Sequence, residues 1–231
     1  MKSRAEGTMD GKEFVEQLRG ENDFHLAKLD VPPVLGGSAL QGRGGAMAPL
    51  AALLKMALKN EMEAAVIAAE WVSTTPELDA KLALARHAGD EARHYQLLEE
   101  KARALGVPLQ EFDPLKPESP VLAYLRTLHT TVERIAAALV AREAMGRRRN
   151  IQFLKFLEAV GQKDIARLYH DVINPDEDKH HQAGCAVLAK LASGPQAQEQ
   201  ARRACKRLLE IGDQVRTSTM EKTGAPVVPG C

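Results

Sequence analysis

The sequence has few cysteines, few aromatic residues, no net charge and no long apolar run. Its three cysteines, Cys185, Cys205 and Cys231, form no C-x-x-C pair, which excludes a disulfide scaffold and favours a reducing, cytoplasmic location. Aromatic residues make up only 4% of the chain, which disfavours a β-sandwich. Basic and acidic residues number 31 each, so a dedicated binder of nucleic acid or anionic membranes is not expected. Without an 18-residue apolar run, or an apolar segment near Met1, we expect neither a membrane span nor a signal peptide.

Helical periodicity is what the sequence has in abundance. Apolar residues recur at helical spacing over about 47–72, 75–105, 119–160 and 162–191. The first and second segments, and the third and fourth, are joined by short turns, whereas a long irregular connection separates the second from the third. The pattern predicts an all-α fold, a four-helix bundle over 47–192 with a long crossover between helices 2 and 3.

Two further segments flank the predicted bundle. Residues 1–46 are predicted to form an N-terminal arm, with a short helix possible over Asp10–Arg19 and Asp10 as its cap. Residues 193–231 are predicted to form a fifth, C-terminal helix and a tail. Within the fourth helix, Pro175 predicts a kink or a break.

Two Glu-x-x-His pairs lie in the middle of predicted helices. Glu91 and His94 lie in helix 2, and Glu177 and His180 lie in helix 4. Residues three apart share a helical face, so each carboxylate and imidazole can bind the same ion. If Asn174 instead capped a new helix at Pro175, Glu177 would cap that helix rather than bind metal.

Helices 1 and 3 offer carboxylates at matching heights. Glu143 follows Ala136, Leu139 and Val140 on one face of helix 3 and is predicted to point into the core. On helix 1, Glu63 is the preferred candidate. Glu61, two residues away on the helical wheel, is expected to face solvent, and Glu70 shares the face of Glu63 about 10 Å further along the axis. Which of these three supplies the ligand stays open.

The predicted metal ligands are therefore four carboxylates and two imidazoles. They are Glu63, Glu91, His94, Glu143, Glu177 and His180. Such a set suits two divalent iron or manganese ions in the core of a helical bundle, since four carboxylates neutralise two divalent ions.

These motifs resemble those of the ferritin-like di-iron carboxylate superfamily. The strings at Asp90–His94 and Asp176–His180 look like its D-E-x-x-H hallmark. The Glu63–Glu91 spacing is similar to that of the oxygenase branch rather than of cage ferritins. The resemblance covers about 47–192 and implies a di-iron centre, with Mn or a mixed Fe/Mn pair as alternatives. The Asn174–Pro175 pair departs from the family pattern.

Five other residues are candidates for an extra ligand or a supporting contact. His87 and His170 precede the two motif glutamates on the predicted metal face, and some ferritin-like N-oxygenases have an additional His ligand. An ordinary structural role is the alternative for both. Asp90 and Asp176 could orient a ligand imidazole by a hydrogen bond, or could be exposed to solvent. Glu70 is the fifth candidate.

Three functions remain open at this stage. The first is a di-iron enzyme that uses dioxygen and an external reductant to oxidise or hydroxylate an unidentified small molecule. The second is a ferroxidase or a peroxide-scavenging protein similar to rubrerythrin or manganese catalase, and the third is a metal-free helical interaction module. Family members often dimerise, so a homodimer is expected by analogy.

Overall fold

A computed structural model describes residues 9–28, 47–225 and 227–230. Within these ranges the chain is helical and contains no strand, which confirms the all-α prediction. None of the helices described combines the length and apolarity that crossing a membrane would require. The predicted arm between the first helix and residue 47 lies outside the described residues.

The helices follow one another in a simple order. They are α1 (Gly11–Ala27), α2 (Met47–Thr74), α3 (Leu78–Ala104), α4 (Pro120–Arg126), α5 (Thr131–Arg134), π1 (Ile135–Arg142), α6 (Glu143–Ala159), α7 (Lys163–Leu168), π2 (Tyr169–Ile173), α8 (Asn174–Leu191) and α9 (Pro195–Thr223). The two π segments are wide turns inside longer helices, so α5, π1 and α6 form the third bundle helix and α7, π2 and α8 form the fourth.

Two short turns make antiparallel pairs of these helices. α2 and α3 pack along their length and are joined by three residues, 75–77. The third and fourth bundle helices are joined at Gly161, whose φ of 76° is a left-handed conformation that glycine adopts without strain. The end of the third helix, predicted at about residue 160, is confirmed.

The prediction that helix 3 runs unbroken from Ser119 is wrong. Ser119 does cap a helix, by accepting a hydrogen bond from the Leu122 backbone N–H, but that helix ends at Arg126. A new helix begins at Thr130, where Thr130 and Glu133 form a reciprocal capping box. The pattern Thr-x-x-Glu was the sequence signal for this restart.

Pro175 does not break the fourth bundle helix, which is helical without interruption from Lys163 to Leu191. Asn174 is helical, with φ −58° and ψ −41°, and makes no side-chain cap. π2 ends one residue before the Asn174–Pro175 pair. The wider turn of π2 provides room for the proline ring. It also changes the backbone hydrogen bonding there, so the helix does not depend on the N–H that proline lacks. The alternative in which Glu177 caps a helix is therefore excluded.

The interior has two apolar layers with a polar layer between them. Along α2, Leu54 and Leu58 belong to one apolar cluster, and Ile67 and Trp71 belong to the other. Glu61 lies between these pairs and is fully buried. The same alternation holds on α3, so the polar layer crosses the middle of the bundle.

Helices α1 and α9 complete one of the apolar layers. Asp10 caps α1, as predicted, but the helix runs to Ala27, well beyond Arg19. Phe14 and Leu18 of α1 pack in the same cluster as Leu208 of α9. The end of the chain also packs on the bundle, since the Gly230 backbone N–H donates to Asn150 Oδ1 at 2.9 Å.

Gly184 allows α8 to lie directly against π1. A Cβ at this position would lie 2.4 Å from Leu139 Cβ and 2.7 Å from the Leu139 carbonyl oxygen. We expect Gly184→Ala to reduce the free energy of unfolding by about 2–3 kcal/mol, because two backbones must separate. Urea unfolding measures this change.

The control is Gly89→Ala, where a Cβ meets nothing within 4 Å and about 0.5–1 kcal/mol of added stability is expected. Equal effects at both positions would contradict the close packing.

Candidate metal centre

The polar layer consists of seven buried side chains from all four bundle helices. Each is at most 3% exposed. They are Glu61 of α2; His87, Glu91 and His94 of α3; Glu143 of α6; and Glu177 and His180 of α8. Glu61 and Glu91 lie equally far from the turn that joins their helices, which brings them to the same height.

The first half of the cluster lies around His87. It contains His87, Glu91, Glu143 and His180, and one ligand atom from each lies within 4.8 Å of the others. His87 Nε2 lies 2.9 Å from Glu143 Oε1 and 3.2 Å from Glu91 Oε1. His180 Nδ1 lies 3.2 Å from the same Glu91 oxygen.

The second half lies around His94 and shares Glu91. It contains Glu61, Glu91, His94 and Glu177, again with one ligand atom from each within 4.8 Å of the others. His94 Nδ1 lies 3.5 Å from Glu61 Oε2, 3.6 Å from Glu91 Oε2 and 4.0 Å from Glu177 Oε1. Glu91 thus presents one oxygen to each half, which is the arrangement of a bridging carboxylate.

Two aspartates orient two of the imidazoles. His94 Nε2 donates to Asp176 Oδ2 at 3.3 Å, and His180 Nε2 donates to Asp90 Oδ2 at 3.1 Å. Each aspartate precedes the glutamate of one D-E-x-x-H string and contacts the histidine of the other. The bonds hold Nδ1 of both rings toward the cluster and increase ring basicity, as such partners do for metal ligands.

Several buried atoms of the cluster make no hydrogen bond with other described residues. These atoms are both carboxylate oxygens of Glu61 and of Glu177, Oε2 of Glu143, and Nδ1 of His94 and of His180. Leaving a buried polar atom unsatisfied costs about 1–3 kcal/mol, and more if it is charged. All of these atoms are metal-ligating types that point into one region. The residues therefore fit a pair of divalent cations, whose charge would compensate four carboxylates.

The pKa values of the carboxylates diverge. Burial, and then the charge of Glu91, raises the pKa of Glu61 well above its ordinary value. Burial, and then the charges of Glu143 and Glu91, does the same to the pKa of Glu177. Burial would also raise the pKa of Glu143, but the nearby imidazoles of His180 and His87 lower it overall. Carboxylates this close cannot all ionise unless cations lie among them.

The two oriented imidazoles become strong bases. Burial favours the neutral form of His94, yet its contacts with Glu61 and Glu91 raise its pKa to about 11. Burial likewise opposes the charge on His180, and its contacts with Glu143 and Glu91 raise the pKa of this ring to about 11 as well. Protons on these rings supply positive charge when no metal ion does.

The structure brings together five of the six predicted ligands. Glu91, His94, Glu143, Glu177 and His180 all lie in the cluster. The prediction that Glu63 joins them is wrong. Its carboxylate accepts hydrogen bonds from the Ser119 backbone N–H at 3.1 Å and from the Ser119 hydroxyl, and pairs with Lys59 Nζ at 2.8 Å.

Glu61 takes the place predicted for Glu63, and the expectation that it faces solvent is wrong. Both glutamates are buried, because α2 is covered on more than one side. A sequence signal for Glu61 did exist. Leu54, Leu58, Ala65 and Ala68 lie on its helical face, and all four are buried.

The sequence indicates His87 only as an extra ligand or an ordinary helix residue, and the structure places it inside the cluster. Its position four residues before Glu91 puts it on the same face of α3. Asp90 and Asp176 make the hydrogen bonds considered for them. His170 and Glu70 lie outside the cluster, since His170 pairs with Asp171 on the surface and Glu70 pairs with Arg126.

A π segment precedes the glutamate that each of the last two bundle helices contributes. π1 ends immediately before Glu143, and π2 ends four residues before Glu177. His181 Nδ1 donates to the Val140 carbonyl of π1 at 3.1 Å and so ties α8 to this turn. Insertions of this kind recur at functional sites because they redirect side chains without ending the helix.

The chain matches no protein-family model, no curated protein and no solved structure.

Proposed function

We propose that this chain is a ferritin-like di-iron carboxylate protein that uses dioxygen to oxidise or hydroxylate a small organic molecule. The observation that carries the proposal is the seven-residue cluster, in which Glu91 belongs to two groups of potential ligands. An iron pair bound there would supply the electrons with which dioxygen is reduced. His87, Glu143 and His180 would hold one ion, Glu61, His94 and Glu177 the other, and Glu91 both.

The remaining contributions come from the protein itself. The two apolar layers above and below the cluster shield it from water on those two sides. Asp90 and Asp176 keep two imidazoles in the orientation that binds metal. An external reductant would supply two electrons for each turnover in which one oxygen atom enters the substrate and the other leaves as water.

An organic substrate is favoured over iron by a cavity of about 220 Å³ that reaches His87 and His180. Arg86 and Lys179 also line this cavity, and two cationic side chains oppose the entry of ferrous ions. Ferroxidase activity is therefore the less favoured function.

Metal analysis of the purified protein, loaded anaerobically with ferrous iron, tests the proposal. We expect about two irons per chain in the wild type and at most one in Glu91→Ala, because Glu91 serves both groups. Glu70→Ala is the matched control, since Glu70 lies on the surface against Arg126, and it should retain two irons.

Dioxygen consumption by the loaded protein completes the test. With ascorbate as reductant, wild-type protein should consume dioxygen and Glu91→Ala should not. A wild type that binds no iron would overturn the metal centre. Rapid repeated oxidation of excess ferrous iron would instead make the protein a ferroxidase.

A further inference from the structure

A cavity between α3, α8 and π1 leads from the surface to the candidate metal centre. Its inner end is formed by His87 and His180, which are 1% and 3% exposed. Its volume is about 220 Å³. For scale, an apolar cavity of about 150 Å³ is enough to hold benzene, so a molecule with a short chain or a single ring would fit.

The wall of the cavity is apolar. Ala83 of α3, Leu139 of π1 and Ala183 of α8 line it. Close contact between α8 and π1 at Gly184 fixes the position of Leu139. This wall can cover the hydrocarbon part of a ligand but offers no hydrogen bonds for a polar body.

The mouth of the cavity carries two positive charges. Arg86 and Lys179 line the cavity and their side chains are 68% and 60% exposed. Each forms one ion pair, Arg86 Nε with Asp90 Oδ2 at 3.4 Å and Lys179 Nζ with Asp176 Oδ1 at 2.8 Å. Since a guanidinium and an ammonium each carry several N–H donors, and both side chains are largely exposed, donors remain on each for an anion.

We propose that this cavity is the substrate pocket and that it takes a small apolar carboxylate. The carboxylate would lie between Arg86 and Lys179, and the hydrocarbon end would lie against Leu139 and point toward His87 and His180. A carbon remote from the carboxylate would then be the one next to the metal centre. That the bound carboxylate is a substrate rests on the proposed function, whereas its binding in the cavity needs no metal.

Ligand binding by full-length protein, with and without Zn²⁺, tests the pocket separately from iron chemistry. The probes are hexanoate and 1-hexanol, which have the same chain length and differ in charge, and isothermal titration or saturation-transfer NMR measures their binding. Wild-type protein should bind hexanoate at least tenfold more tightly than 1-hexanol. The double variant Arg86→Gln/Lys179→Gln should lose about tenfold for hexanoate and nothing for 1-hexanol.

Two further variants locate the ligand. Arg93→Gln removes another exposed cation, which pairs with Asp176 at 3.4 Å but does not line the cavity, and it should leave hexanoate binding unchanged. Ala183→Leu fills the cavity from an exposed position and should weaken both probes about tenfold. Equal binding of the two probes, equal losses in Arg93→Gln and the double variant, or no effect of Ala183→Leu would each overturn the pocket.

The failure of this inference and of the proposed function can be told apart. Wild-type protein that takes up two irons but binds no hexanoate would overturn only the pocket. Charge-selective hexanoate binding by protein that takes up no iron would overturn the di-iron function and leave the carboxylate site in place.

Discussion

Glu61→Ala is expected to lose at least one of two metal ions, whereas Glu63→Ala should keep both, although these glutamates are two residues apart. Glu61 Oε2 lies 3.5 Å from His94 Nδ1 within the cluster, and neither of its oxygens makes a hydrogen bond with a described residue. Removing it takes one of four ligands from the second half of the centre. Metal analysis of the two variants after identical loading measures the difference.

The stability of the metal-free variants should change in the opposite order. Glu63 binds the Ser119 N–H and hydroxyl and pairs with Lys59, so Glu63→Ala should cost about 2–3 kcal/mol of unfolding free energy. Glu61 is a buried carboxyl whose pKa is raised by burial and by Glu91. Its removal ends this burial but also takes a contact from the His94 ring, so Glu61→Ala should cost less unfolding free energy than Glu63→Ala in metal-free protein.

Urea unfolding of metal-free protein, combined with metal analysis, gives both quantities for each variant. Loss of metal in Glu63→Ala together with retention in Glu61→Ala would restore the sequence-based assignment of Glu63. Equal metal loss in both variants would show only that α2 tolerates neither change. The control Glu63→Gln, which keeps an acceptor for Ser119, should recover part of the lost stability.

Metal affinity should rise steeply with pH. The pKa values of His94 and His180 are raised to about 11 by neighbouring carboxylates, so both rings carry an additional proton at pH 7 in the metal-free protein. A ring nitrogen must lose that proton to bind metal. Release of the two imidazole protons alone increases the affinity for the ion pair by about 100-fold for each pH unit.

The same pKa shifts set the pH dependence of the metal-free fold. Since the folded pKa of each ring exceeds the unfolded value of 6.5, the charged rings contribute stability in full below about pH 6.5. That stability is lost as the pH rises toward 11. Metal-free protein should therefore lose stability with rising pH, while metal-loaded protein gains it over the range in which binding tightens.

Competition with a chelator at several pH values measures the metal affinity. Calorimetric titration with metal, in two buffers of different ionisation enthalpy, counts the protons released on binding. His170→Gln is the control, because His170 is exposed and outside the cluster, and it should not change the pH slope. A metal affinity that is independent of pH between 6 and 8 would contradict the protonation of His94 and His180.

The features that could be predicted from the sequence are those that depend on residues close together in the chain. Helix boundaries follow from side chains next to the backbone they cap, as at Asp10, Ser119 and Gly161. The pairing of Glu91 with His94 and of Glu177 with His180 follows from the three-residue helical repeat. These features depend on neighbours in the chain, so the sequence contains all the information they need.

Which glutamate of α2 joins the buried cluster depends on how the helices pack against one another. Glu61 and Glu63 are both buried. Sequence periodicity distinguishes a buried helix face from an exposed one, but it does not distinguish two buried faces of the same helix. The contacts of Asp90 with His180 and of Asp176 with His94 likewise require α3 and α8 to run antiparallel side by side. Their physical origin is the packing of separate helices, which brings together residues about 80–90 positions apart in the chain.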